Sequence, residues 1–381
     1  MTVTATLDTL RVDSVGSFLR PQALKDAFAA HDAGKLDDAG LRAAQNAAIR
    51  DVIKAEEAHG MPIVGDGEFR RRNFNQSFAV VAGMEAWDAR LGRGSTIEQQ
   101  GVVAAGLKRD IGNEFRTPVS GPLKLTSNVP LDEYTFVAAN ATKPATVTLL
   151  SVDRISGRYA YEQSANVYAT RDAFANAVAD VEKQMVKQLW DAGCRYIHID
   201  APSYTAYVDE EMLAGMKARG EDPQHNLNHS LAADNAVAQS LPGATFGIHL
   251  CRGNAQGMWH RRGSYDAIAE RLFNTLAHTR FLLEYDDERS GGFEPLRFVP
   301  KGKVVVLGLI STKTSRVETV DELRRRIDEA AKYLPLDQLA LSPQCGFSSG
   351  LQGNPLSEEE QWRKVDTMLR TAQLVWGSAI L

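Results

Sequence analysis

Two kinds of apolar pattern alternate along the chain. Short runs rich in Val, Ile and Leu centre near residues 12, 63, 147, 197, 247, 282, 305 and 340. Most are followed by a longer stretch in which apolar residues return every three or four positions, the spacing of a helix that buries one face. Residues 37–59 are one such stretch, with Leu41, Ala44, Ile49, Ile53 and Ala58 on one side and Gly60 to stop it; residues 171–192, 227–240, 265–278, 320–333 and 358–376 repeat the pattern. Continuous apolar runs, with no alternation in polarity, are expected of strands covered on both faces, as in parallel sheets. Eight such runs interleaved with helices predict an α/β protein whose strands close into a (β/α)8 TIM barrel, with residues 1–381 as one domain. A doubly wound open sheet is the competing arrangement, but no dinucleotide-binding glycine fingerprint follows the first run. The pattern breaks down over residues 75–143, where 102–107 and 115–125 read as extended and 131–140 as a short helix; this predicts a β-hairpin and helix inserted between strands 2 and 3.

A barrel gathers its chemistry at the C-terminal ends of its strands. Those ends carry Ser17, Glu68, Asp200, His249, Cys251, Glu284 and Cys345. His249 and Cys251 are alternate residues of one run, so they point the same way and could grip one ion. With Glu284 and Cys345 they make the N/S/O donor set that zinc prefers. Each residue also has a plain structural explanation. A buried histidine and thiol can be packing, the acidic run from Glu284 to Glu288 can be a solvated face, Asp66 and Glu68 can cap a helix, and Asp200 before Ala201-Pro202 can form a turn. It is the joint placement at one mouth that favours a site. Cys194, entering a strand, is expected to pack.

Composition narrows the partners. At 44% hydrophobic and 24% charged residues, the chain has material for a large core. The net charge of −5, despite the runs Arg70–Arg72 and Arg324–Arg326, argues against nucleic acid. Residues 1–10 lack the features of a signal peptide, and no apolar run reaches the roughly 18 residues of a membrane span. Three cysteines are too few for a disulfide scaffold, so a reducing, cytoplasmic setting is expected.

Taken together, Val15-Gly16-Ser17-Phe18, Gly65-Asp66-Gly67-Glu68-Phe69, Ile199-Asp200-Ala201-Pro202, Ile248-His249-Leu250-Cys251 and Ser342-Pro343-Gln344-Cys345-Gly346 resemble the catalytic half of cobalamin-independent methionine synthase, and most closely its single-barrel relatives. The resemblance implies a zinc-dependent methyltransferase that moves a methyl group to homocysteine, with zinc on His249, Cys251, Glu284 and Cys345. It also implies that Glu68 and Asp200 hold the substrate amine, and that main-chain amides at Gly16 and Ser17 hold its carboxylate. Methyltetrahydrofolate is the donor it points to. The sequence departs from the family in two ways: it holds one barrel where the full-length enzyme has two, and Lys313 stands where the family has a proton-donating histidine. A lysine stays charged near neutrality, so Lys313 is expected to serve as a fixed positive charge for an anionic donor or leaving group, unless it is merely a solvated loop residue.

Two thiolates and a carboxylate would outweigh the charge of a zinc ion, which makes a poor activator of water but a good holder of a nucleophilic thiolate. The expected reaction is therefore alkyl transfer by way of a zinc-bound thiolate, with Glu284 yielding its place as the thiol enters. Three alternatives remain: epoxide-to-thiol transfer, a zinc-free barrel akin to uroporphyrinogen decarboxylase, and a non-catalytic thiol- or zinc-binding barrel.

Overall fold

The computed structural model describes residue 7 and residues 9–92, 101–104, 107–110 and 116–379. Six strands form one parallel sheet, each paired with the next in the chain: β1 (Val147–Leu150), β2 (Tyr196–Asp200), β3 (Thr245–Leu250), β4 (Arg280–Glu284), β5 (Val304–Ile310) and β6 (Leu339–Pro343). Two further positions extend its edges. Val12 bridges Leu341 of β6, and Val64 bridges Ala145 just before β1, both in parallel. The Phe18 N–H then donates to the Gly67 carbonyl at 3.2 Å, joining the segments that follow these two bridges. The fold is the (β/α)8 barrel that the eight apolar runs imply.

The first two staves are shorter than expected, for local reasons. After Val12 the chain turns Asp13 into a buried ion pair and reaches Gly16 at φ +128°. After Val64 it passes through Gly67 at +64° and Glu68 at +59°, conformations no strand can hold. Both apolar runs are real but too short to make ladders.

Helices cover the outside. Asp38–His59 starts on the Asp37 side chain and ends at left-handed Gly60; Arg171–Asp191, Pro223–Ala238, Asp266–Thr275, Val320–Ala330 and Glu358–Trp376 match the other periodic stretches within a few residues. The helices Gln22–Asp32 and Glu210–Ala218 had not been foreseen. The insertion is richer than a hairpin and a helix. Val81–Ala82 pairs with Lys124–Leu125, a hairpin joins Gly101–Ala104 to Leu107–Asp110, and two helices, Glu85–Gly92 and Val129–Asn140, complete it. One apolar cluster runs between sheet and helices from Val12 to Trp376, and a smaller one of Val15, Leu282, Val306 and Ala340 draws on four barrel positions.

Candidate metal centre

Register sets the site. In the sheet Asp200 lies opposite His249, and Glu284 opposite Gly308, so the ends of β2, β3 and β4 bring their polar residues level. The ligand atoms of His249, Cys251 and Cys345 all lie within 4.8 Å of one another, and all three residues are buried. Cys345 follows β6 and is drawn in by a close approach: a Cβ on the next residue, Gly346, would lie 1.9 Å from the Ser17 hydroxyl, so only glycine fits there. The Ser17 carbonyl accepts from Phe347 N–H at 2.8 Å, and its hydroxyl from Ser348 N–H at 3.3 Å. This laces the loop after Val12 to the loop after β6.

The cluster suits a soft divalent ion. Neither ring nitrogen of His249 has a hydrogen-bond partner although both are buried, a condition that costs free energy unless a ligand relieves it. Burial alone would lower the His249 pKa, but Cys251, Asp200 and Glu284 outweigh it and raise it to about 9. An environment that attracts a proton this strongly also attracts a cation. The Cys345 thiol and the His249 imidazole together hold the Cys251 thiol well below the usual thiol range, while that same pairing and burial hold Cys345 well above it.

Two carboxylates adjoin this cluster. Burial raises the Asp200 pKa to about 7, and the nearby Cys251 and Glu68 add to it. Glu68 is also raised by burial, against the pull of Arg71 and Arg20. Asp200 Oδ1 and Glu68 Oε2 are buried without hydrogen-bond partners. A Cβ on Gly16 would stand 3.5 Å from Glu68 Oε1 and only 2.8 Å from Thr148 Oγ1, so the Gly16 backbone lies close against Glu68 and Thr148. Gly16 thus lies against Glu68, Ser17 lies against the glycine that follows Cys345, and Asp200 interacts electrostatically with His249, Cys251 and Glu68.

Glu284, the fourth expected ligand, is not part of the compact donor cluster. Its oxygens take Lys313 Nζ at 2.9 Å, Arg289 Nη2 at 3.3 Å and the Arg252 amide N–H. Lys313 is no solvated loop residue. Its side chain is 5% exposed and also binds Asp286 Oδ2 at 3.1 Å. Burial would lower its pKa, but Asp286 and Glu284 outweigh this and raise it. Its charge is already matched, which leaves none free for an anionic donor.

The family model for the catalytic domain of cobalamin-independent synthase matches residues 10–373. The chain belongs to the cobalamin-independent methionine synthase family. The uncharacterized Bacillus subtilis protein YxjG is 34% identical to this chain over 96% of it and 94% of its own length. A methionine synthase of Pyrococcus abyssi is 23% identical over 97% of this chain and 94% of its own. Among solved structures, a putative vitamin-B12 independent methionine synthase from Listeria monocytogenes superposes with a TM-score of 0.72 at 26% identity, covering 97% of this chain and 98% of that one.

Several charged residues of this methionine synthase-family barrel were not anticipated. Arg71, seen in the sequence only as part of a basic run, is buried. It binds Glu133 of the insertion through Nε at 2.8 Å and reaches Glu68 Oε1 at 3.3 Å. Arg20 ties the loops together, donating to the carbonyls of Glu68 and Arg71 at 2.8 and 2.7 Å and to that of Ser348 at 2.9 Å. A short basic run gives no sign of which member turns inward. The one usable hint was the loop Gly65-Asp66-Gly67-Glu68, which must be clamped from somewhere.

Proposed function

We propose that this chain transfers a methyl group to the thiol of homocysteine, giving methionine, with zinc held by His249, Cys251 and Cys345. The observation that carries this reading is the buried N/S/S cluster beside two carboxylates that have unpaired oxygens. A zinc ion held there would lower the pKa of the substrate thiol and keep the sulfur electron-rich enough to attack a methyl group. The protein's own residues would do the rest. Asp200 and Glu68 bind the ammonium group, and because burial makes lone carboxylates costly there, an arriving cation stabilises both. Gly16 and Ser17 present main-chain amides to the carboxylate end. The barrel walls hold the sulfur in line and exclude water, so positioning contributes most of the rate. Two carboxylates facing the substrate favour an amino thiol over the anionic thiols of epoxide-type transfer. Methyltetrahydrofolate is the donor to test first, and a reducing cytoplasm suits the thiol pair.

Metal analysis combined with a methyl-transfer assay tests the reading. The wild type should carry about one zinc per chain and methylate homocysteine. Cys251→Ser and Cys345→Ser should lose both properties. Undiminished zinc in both variants, or equal use of a thiol that lacks the amine, would refute it.

A further inference from the structure

Glu68 keeps a left-handed backbone, φ +59°, which a residue with a side chain holds only where its surroundings over-determine it. Its N–H donates to Asp66 Oδ1 at 2.9 Å, and its carbonyl accepts from Arg20 Nη2 at 2.8 Å and from the Arg71 N–H at 3.0 Å. The side chain is held more lightly: Arg71 Nη1 donates to Oε1 at 3.3 Å, and Oε2 has no partner among the described residues. A guanidinium and a carboxylate often lie side by side, joined by two parallel bonds. Arg71 makes that pairing elsewhere. Its Nε donates to Glu133 Oε1 at 2.8 Å and its Nη2 to Glu133 Oε2 at 2.5 Å, while Nη2 also donates to the Thr148 carbonyl at 2.7 Å. Glu133 lies on the insertion helix Val129–Asn140 and is buried. The nitrogen that a second bond to Glu68 would need is therefore committed to the insertion and to β1.

We propose that Glu133, acting through Arg71, is a positioning residue that sets the preference for an amino thiol. By holding the guanidinium along its Nε edge, it leaves Glu68 aimed by a single contact and with one carboxylate oxygen unpaired, ready for a substrate ammonium group. The insertion thus takes part in choosing the substrate without touching it. This rests on the amine-binding role proposed for Glu68 above. Glu133→Gln would leave only one acceptor for the fork and would turn amide donors toward the guanidinium. Arg71 would then be drawn onto Glu68, the one carboxylate still in contact with it, and the substrate amine would have to compete with that pairing.

Titration calorimetry of the full-length protein, in the presence of Zn2+, with homocysteine and with mercaptobutanoate, the same thiol acid without its amine, gives the ratio of the two affinities. A tie that only fastened the insertion to the barrel would change both affinities together. Glu133→Gln should lower the preference for homocysteine by about 10-fold, within the range of interaction energies between residues in contact. Glu133→Asp, which keeps the charge and serves if the amide variant does not fold, draws the carboxylate back from the fork and should lower the preference by about 3-fold. Adding Glu133→Asp to Glu68→Gln should lower it no further, because Arg71 then has no Glu68 charge to cover. A wild-type ratio in either folded Glu133 variant would overturn the proposal, as would a further drop in the Glu68→Gln background. Wild-type protein with no preference between the two thiols would refute the amine reading and this inference together. A preference that survives both Glu133 substitutions would refute only the inference.

Discussion

At the N-terminal ends of β2 and β4, Asp13 is met on every side. Its Oδ2 accepts from the Tyr196 hydroxyl at 2.6 Å and from Arg280 Nε at 3.1 Å, while Oδ1 accepts from Ser14 N–H at 3.0 Å and lies 3.4 Å from His198 Nε2. At the C-terminal end of β2, Asp200 is also buried, yet its Oδ1 has no partner, and Glu68 and His249 beside it also carry unpaired atoms. The pKa directions follow from this. Burial pushes both acids up, but Arg280 and His198 overcome it and bring Asp13 down to about 2, whereas Asp200 stays raised near 7. Burial of charge therefore does not by itself mark a site. Glu182, on the helix Arg171–Asp191, is buried with neither carboxylate oxygen bonded and stands apart from the mouth. Beside Asp13 the ring nitrogens of His198 are also unpaired, whereas at the mouth unpaired atoms of three residues, Asp200, Glu68 and His249, converge, as they would around a ligand that completes them.

The contrast is sharpened first by a variant at the closed end. Arg280→Met leaves the Asp13 carboxylate without its cation in the barrel interior, and removing one partner of a buried pair costs about 3 to 5 kcal/mol. Urea unfolding should show that loss, with zinc content unchanged in the folded protein. A loss below about 1 kcal/mol would mean that the pairing at this end is not what stabilises it.

At the open end the effect should fall on binding instead. On the proposed function Glu68→Gln removes a charge that binds the substrate amine, and homocysteine affinity should drop by about 3 kcal/mol, within the range for losing one member of a desolvated pair. Stability should change by less than about 1 kcal/mol, because Arg71 keeps its contact with Glu133. Calorimetric titration and unfolding on the same sample separate the two ends. A Glu68 variant that unfolds early but binds normally would reverse the contrast.

The sequence made the open end legible and the closed end almost invisible. Strand-end residues could be found because an apolar run has a definite last position and the barrel collects those positions in one place. That logic located His249, Cys251, Cys345, Asp200 and Glu68 without knowledge of any contact. It failed for their partners, because a salt bridge between residues far apart in the chain leaves no local pattern: Arg71 with Glu133, Asp13 with Arg280 and Lys313 with Glu284 all join separate elements. Lys313 was singled out as a free positive charge for the donor, and what its Ser- and Thr-rich loop did not reveal is that Asp286 and Glu284 already match that charge. In the fold, apolar runs marked all eight staves but not how short the first two are, because glycine and Glu68 conformations end them early. The insertion's detail was lost where polarity shows no period.

The smallest expected effect uses acid to probe the closed end alone. Asp13 has its folded pKa depressed from 3.8 to about 2, so it contributes stability above pH 4 that is lost as the pH falls toward 2. The shift is worth roughly 2 kcal/mol at full burial. Asp200 has the opposite sign: raised to about 7, it disfavours the folded state increasingly between pH 4 and 7, and it is already protonated in both states near pH 2. The interval from pH 4 to 2 therefore reports on Asp13 with little contribution from Asp200. Other carboxylates titrate there too, so the measurement is a difference. The stability gap between wild type and Asp13→Asn, read from urea midpoints, should narrow by about 2 kcal/mol from pH 4 to pH 2. Asp200→Asn should change the acid limb by less than about 1 kcal/mol over the same interval. A constant gap across that interval would show that Arg280 and His198 do not hold Asp13 ionised, and the two ends of the barrel would then differ in burial rather than in pairing.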